Sequence, residues 1–241
     1  MIRVLALEAT GMSATDISRR TGIPRRTVCD WMHRRVPRRQ RGLINGCEAC
    51  GHARHALDRL PPIYAYLLGI YLGDGCISSH ARGVFRVRLT LDAAYPGIIA
   101  ECEAALRAVM PSNAVGRFDR GTWIEVYSYS RSWPCLFPQH GPGKKHERPI
   151  VLEDWQWALV ERVPELLLRG LIHSDGCRFE NTGREWSNPR YVFSNASDDI
   201  RGIFERACAL IDLHTTRSTR AVYVSRKADV ARMDGFVGPK A

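Results

Sequence analysis

The strongest constraint on the fold is a nonapeptide that occurs twice, LLGIYLGDG from Leu67 to Gly75 and LRGLIHSDG from Leu168 to Gly176. With the next residue included, the gapless alignment matches Leu67/Leu168, Gly69/Gly170, Asp74/Asp175, Gly75/Gly176 and Cys76/Cys177. Such an internal repeat predicts a repeated structural unit. In each copy apolar residues run on until an Asp-Gly pair, the pattern of a helix end followed by a strand, with the glycine stopping the helix. Gly69 and Gly73, and Gly170 and Ser174, stand four apart and so share one helix face. Faces of small residues let two backbones approach closely. Helices packed through them bring Asp74 and Asp175 together at their bases.

A carboxylate at a helix C-terminus faces the negative end of the macrodipole, and a second carboxylate nearby adds repulsion. A divalent cation removes both penalties, and Mg²⁺ is commonly held by one or two carboxylates with water and substrate phosphate. The plainer alternative is that two Asp-Gly turns merely cap two buried helices, which the matched copies disfavour. The two stretches resemble the paired motifs of the LAGLIDADG homing endonucleases in their single-chain form, over roughly Pro61 to Asp234. The resemblance implies a pseudo-twofold αββαββα repeat, an α+β fold whose antiparallel sheets form a saddle over DNA. It also implies that Asp74 and Asp175, with Gly73 and Ser174 beside them, bind two or more Mg²⁺ ions. The family's earlier acid is Leu72 and His173 here, at a position that often varies.

The 241 residues hold one sizeable core plus a small appendage. Net charge is +10, which fits a polyanionic partner. Residues 1–59 carry 12 Lys+Arg against 5 Asp+Glu, so the basic excess is N-terminal. The segment from Met1 to Gly11 is too short and interrupted for a secretory h-region. Eight cysteines therefore suggest a reduced cytosolic, nucleoid-associated setting and not a disulfide framework. No apolar run reaches the roughly 20 residues of a membrane span.

Residues 1–35 read as a small all-α helix-turn-helix domain. Ser13 is the N-cap of a first helix, Gly22 ends it, and Pro24 opens a second, with Ile17, Val28 and Trp31 as core. The second helix would present Arg25, Arg26, Thr27 and Asp30 to bases. A charged helical hairpin without a DNA role gives the same pattern. Next comes an arginine-rich arm containing Arg34, Arg35, Arg38, Arg39 and Arg41, suited to phosphates or a minor groove. Within the linker of residues 36–60, Cys47, Cys50, His52 and His55 form a candidate structural Zn²⁺ knuckle, although their spacing is tighter than usual finger spacings.

The first half is expected over 61–137, an inter-half linker over 138–163 and the second half over 164–241. In the first half, Val84 to Leu91 alternates apolar Phe85, Val87, Leu89 and Leu91 with Arg86, Arg88 and Thr90, one face for helices and one for DNA. Arg190, Arg217 and Tyr223 are the second half's DNA-facing candidates. Aligning the final strands pairs Val126-Tyr127 with Val222-Tyr223 and sets Arg131 opposite Lys227. The resemblance implies a basic residue near that point which steadies charge on the scissile phosphate, and Lys227 is preferred, with Arg131 or Lys145 assisting. Lys144 and Lys145 lie in a Gly- and Pro-rich loop, Pro138 to Pro149. Trp123, Trp133, Trp155 and Trp157 read as packing aromatics. His140, His146 and His173 are more often structural than water-activating.

The expected function is sequence-specific binding of double-stranded DNA by a monomer, with Mg²⁺-dependent phosphodiester cleavage. The alternative is a non-catalytic regulator on the same scaffold, and binding of structured RNA is a third class.

Overall fold

The computed structural model describes residues 4, 7, 10–32 and 60–240. The chain forms two compact units, Met1–His55 and Ala56–Ala241. The arginine arm and the Cys47, Cys50, His52 and His55 set lie outside the described residues, as do the side chains of Arg26, Thr27, Asp30 and Trp31.

In the first unit, α1 (Ala14–Thr21) and α2 (Arg25–Met32) form a helix-turn-helix pair. Ser13 caps α1, its hydroxyl accepting the Asp16 N–H at 3.2 Å. Gly22 closes the helix at φ 71°, a left-handed conformation open to glycine without steric cost. Ile17 and Val28 are fully buried together with Val4.

The second unit is a duplication. Its first half runs α3 (Ile63–Asp74), β1 (Gly75–His80), β2 (Val84–Asp92), α4 (Pro96–Val109), β3 (Val115–Asp119), β4 (Trp123–Ser130) and the single turn α5 (Trp133–Leu136). An extra helix, α6 (Asp154–Val160), lies between the halves. The second half runs α7 (Pro164–Asp175), β5 (Gly176–Thr182), β6 (Ser187–Ser194), α8 (Asp198–Ala209), β7 (Thr215–Arg217), β8 (Ala221–Val224) and α9 (Lys227–Val237). Each half holds one antiparallel four-stranded sheet, ordered β1-β2-β4-β3 and β5-β6-β8-β7. This is the αββαββα order, twice.

Register shows how closely the halves correspond. Gly75 pairs with Leu89 and Leu89 with Val126, while Gly176 pairs with Phe193 and Phe193 with Val222. The alignment of Val126 with Val222 is therefore structural. Strand periodicity sends Val87, Leu89, Leu91 and Val126 inward against Ile98, Ile99, Cys102 and Leu106 of α4. In the second half Phe193 stacks on Phe204 of α8 with ring centroids 4.8 Å apart.

Helix α3 is buried all round from Tyr64 to Leu72, because α7 covers one side and its own sheet the other. A methyl group on Gly69 would stand 2.6 Å from the Leu167 carbonyl oxygen and 2.7 Å from the Leu171 nitrogen. One on Gly170 would collide with the Tyr66 carbonyl oxygen. The small-residue faces thus meet backbone to backbone.

Gly75 and Gly176 behave differently from simple helix stops. Their φ values, −93° and −118°, are ordinary extended backbone. Glycine is required because a Cβ would come within 2.6 Å of Tyr71 Cα in one copy and 2.9 Å of Ile172 Cα in the other. The strand leaves each helix too sharply for a side chain.

Residues 138–163 are more structured than a linker. Besides α6 and a 3-10 turn at Lys145–Glu147, they contain buried Gln139 and Gln156, whose amides bond each other. Gln156 also donates to the Tyr64 hydroxyl at 2.7 Å, tying the segment to the side of α3.

Candidate functional site

The last turns of α3 and α7 place Asp74 and Asp175 side by side, close enough that the charge of Asp175 acts on Asp74. Burial, with that repulsion added, pushes the Asp74 carboxyl from 3.8 up to about 7. Burial raises Asp175 as well, but the Asn195 amide opposes it by donating to Oδ2 at 2.6 Å. Asn195 is itself oriented by accepting the Ser197 N–H at 2.8 Å. Asp74 receives no hydrogen bond among the described residues. The two carboxylates are therefore equivalent in sequence and unequal in environment.

Lys145 enters from the inter-half segment. Its ammonium donates to the carbonyls of Tyr71, of Leu72 at 2.9 Å and of Gly73 at 3.1 Å, satisfying the open end of α3. It also lies 5.0 Å from the centroid of the Tyr71 ring. Burial lowers its pKa from 10.5 to about 8, against the pull of Asp175 and Asp74. Lys145 and Asp175 line a cleft of about 630 Å³ that also reaches Gly73, Cys76, Arg88 and Asn195.

Arg131 directly follows β4 and Lys227 opens α9, three residues beyond β8; both are exposed and neither lines this cleft. The lysine at the aspartates is Lys145. The sequence ranked it behind Lys227, as an assisting candidate, because it lies in the segment joining the two copies, which repeat alignment does not reach. Ser174 turns its hydroxyl to the Leu171 carbonyl at 3.0 Å. Lys144 is exposed beside Glu147.

The outward sheet face carries the predicted basic residues with counter-charge the sequence did not reveal. Arg86 pairs with Glu125 and lies 4.4 Å from the Tyr127 ring centroid. Arg88 donates to Cys76 Sγ at 2.7 Å and stands 3.8 Å from Glu125. Thr90, opposite Glu125, is exposed, and Arg190 pairs with Phe179 across β5 and β6. Tyr223 shares the outward side with Val192 and Thr216. Arg217 does not belong to this face. Register sets it opposite fully buried Val222, and it bonds Asp198 and Glu205 of α8 on the helix-covered side. Arg25 is exposed at the start of α2.

His173 is a structural group. It is buried and accepts the Tyr66 hydroxyl at Nδ1, 3.1 Å, while Nε2 donates to the Val237 carbonyl at 3.0 Å. Burial, with Arg169 nearby, lowers its pKa to about 4, so it is neutral and faces no water.

The topology defines a pseudo-twofold α+β protein whose halves meet through an acidic helix pair, with a helix-turn-helix unit earlier in the chain. A family model described as a homeodomain-like domain matches residues 2–40. No curated protein matches the chain. Among solved structures, the chain is similar to the N-terminal LAGLIDADG domain of WhiA, with 16% identity, 76% of this chain and 88% of that one covered, and a TM-score of 0.45. It is similar to the homing endonuclease I-WcaI bound to its DNA recognition sequence, at 14% identity, 75% and 83% coverage and a TM-score of 0.49. The complex of I-DmoI with DNA and Mn gives 14% identity, 74% and 97% coverage and a TM-score of 0.47. The strand order and helix pairing, more than these distant likenesses, define the fold.

Proposed function

We propose that the chain binds double-stranded DNA through its helix-turn-helix unit and the outward faces of both sheets, and that it cleaves DNA with a divalent cation, Mg²⁺, held by Asp74 and Asp175. The observation that carries this reading is the convergence of two half-buried carboxylates, one from each repeat, at the ends of the packed helices α3 and α7. Electrostatics supports a cation there: Asp74 is raised to about 7 and lacks a hydrogen-bond donor among the described residues. The donors suit a hard ion that keeps several water ligands. The Gly73 carbonyl suits it less, because Lys145 already donates to it. When bound, the cation would supply Lewis-acid stabilisation for phosphodiester hydrolysis.

The chain's own groups divide the remaining work. Lys145, cationic below about pH 8, stands beside the aspartates where it offsets charge gathering on a phosphate. Asn195 holds Asp175 in one orientation. Arg131 and Lys227 would contact backbone phosphates, one per half, and Arg25 would serve DNA from the helix-turn-helix. The Arg86–Glu125 pair leaves less net positive charge on the first sheet than its arginines suggest, so base and shape readout must supplement phosphate attraction.

A second reading, a DNA-binding regulator without cleavage, is favoured by the grip of Lys145 on the end of α3, which neutralises the site without any ion. A duplex library incubated with the protein in Mg²⁺ and in Ca²⁺, with bound and cut ends sequenced, separates the two. Cut ends that vanish in Asp175→Asn support the nuclease. Specific binding without cutting in any metal identifies the regulator, and preference for structured RNA over duplex DNA overturns both.

A further inference from the structure

Strand register places one row of outward-facing residues across each sheet, starting two residues beyond the motif aspartate. In the first sheet the row is Cys76, Arg88, Tyr127 and Gly116. In the second it is Cys177, Val192, Tyr223 and Thr216. The cysteines and the tyrosines match, and arginine against valine is the exchange that changes charge. The neighbouring row follows suit: Thr90 and Glu125 in the first sheet correspond to Ser194 and Ala221 in the second. Where the arginine is missing, so is the acid.

In the first sheet these side chains are held in place. Arg88 donates from Nε to Cys76 Sγ at 2.7 Å, and its Nη1 stands 3.8 Å from Glu125, too far for a hydrogen bond. Nε thus fixes the guanidinium while its two terminal nitrogens, which make end-on bidentate contacts, form no hydrogen bond among the described residues. The Arg88 side chain is 43% exposed and lines the cleft that holds Asp175. Glu125 is only 8% exposed and is fixed from its other side by Arg86, which pairs with it and lies over the Tyr127 ring. Tyr127 rests against Gly116, where a Cβ would run into the ring.

An open guanidinium fork takes either a phosphate or the O6 and N7 acceptors of guanine. The Glu125 carboxylate beside the fork decides between them, because it repels the charge of a phosphate far more than it disturbs a neutral base edge.

We propose that Arg88 is the specificity-determining residue of the first half, a guanine reader aimed by Cys76 and Glu125. Val192 in the equivalent place offers no hydrogen bond, so the target carries this guanine in one half only. The inference rests on the reading that duplex DNA lies on the outward sheet faces.

The test is selection from a randomised duplex library by the full chain in EDTA, where nothing is cut, with bound duplexes sequenced. The parent should select guanine at a position in one half of its site with no counterpart in the other. Arg88→Val, which copies the second half, should lower that preference about tenfold or more and leave the other positions unchanged. Arg88→Lys keeps the charge without the fork and should lose the same preference while holding its affinity for unrelated duplexes. Glu125→Gln should weaken the preference severalfold and raise affinity for unrelated duplexes. Selection unchanged in Arg88→Val overturns the inference alone. So does a loss equal for all sequences in Arg88→Val that Arg88→Lys restores, which would mark a phosphate contact. An unchanged preference in Glu125→Gln overturns the aiming role of Glu125. A parent chain that binds no duplex overturns the DNA reading and the inference with it.

Discussion

Replacing Asp74 by Asn should stabilise the metal-free protein, which is the reverse of what removing a conventional salt-bridge partner does. The folded-state pKa of about 7 lies well above the unfolded value of 3.8, so the folded protein binds more protons between them. Stability therefore falls as pH rises through that window and the penalty is complete above about 7. At ~1.4 kcal/mol per tenfold change, the penalty reaches about 4 kcal/mol at pH 8 and less than half of that at pH 5. The asparagine keeps the volume and removes the charge. Relaxation around the site will reduce the gain, so about 2–3 kcal/mol at pH 8 and ~1 kcal/mol at pH 5 is expected. The assay is urea unfolding in EDTA at both pH values, with slopes compared to confirm that the unfolded states match. Adding Mg²⁺ should stabilise the parent by mass action and leave the variant unmoved. An Asp74→Asn protein less stable than the parent at pH 8, or a gain identical at both pH values, would refute the claim that Asp74 is a buried, repelled charge.

Gly170→Ala should cost about 3 kcal/mol in thermal or chemical unfolding, since the new methyl meets the Tyr66 backbone oxygen and the helices must part; a neutral result would mean that α3 and α7 do not touch there. Ser13→Ala should lower the stability of the helix-turn-helix unit by ~1 kcal/mol through loss of the α1 cap, visible as faster amide exchange over residues 14–21. For cleavage, Lys145→Met should reduce the rate a hundredfold or more, whereas Lys227→Met should mainly weaken binding; the opposite ranking would return the catalytic role to Lys227. DNA affinity should fall steeply with salt, and each arginine removed from the DNA face should reduce the log–log slope by about one.

The sequence by itself determined the duplication, the helix and strand order, and the meeting of Asp74 with Asp175. These follow from local periodicity and from a repeat whose small residues admit only close helix packing. The Ser13 cap and the Gly22 stop were equally legible, because capping is settled within a few residues. Helix α6 was not, since it is short and lies in the segment between the copies, while α9 is the closing helix that the αββαββα repeat implies, without residue bounds of its own.

Only the tertiary structure decided which charges act on the aspartates. Lys145 reaches them from the segment between the halves, while Lys227, favoured by alignment, stays exposed. Tertiary contacts also set Glu125 against Arg86 and moved Arg217 to the helix side through strand register. Coulomb interactions depend on distance and burial in space, and a linear pattern carries neither for residues that the fold brings together from opposite ends of the chain.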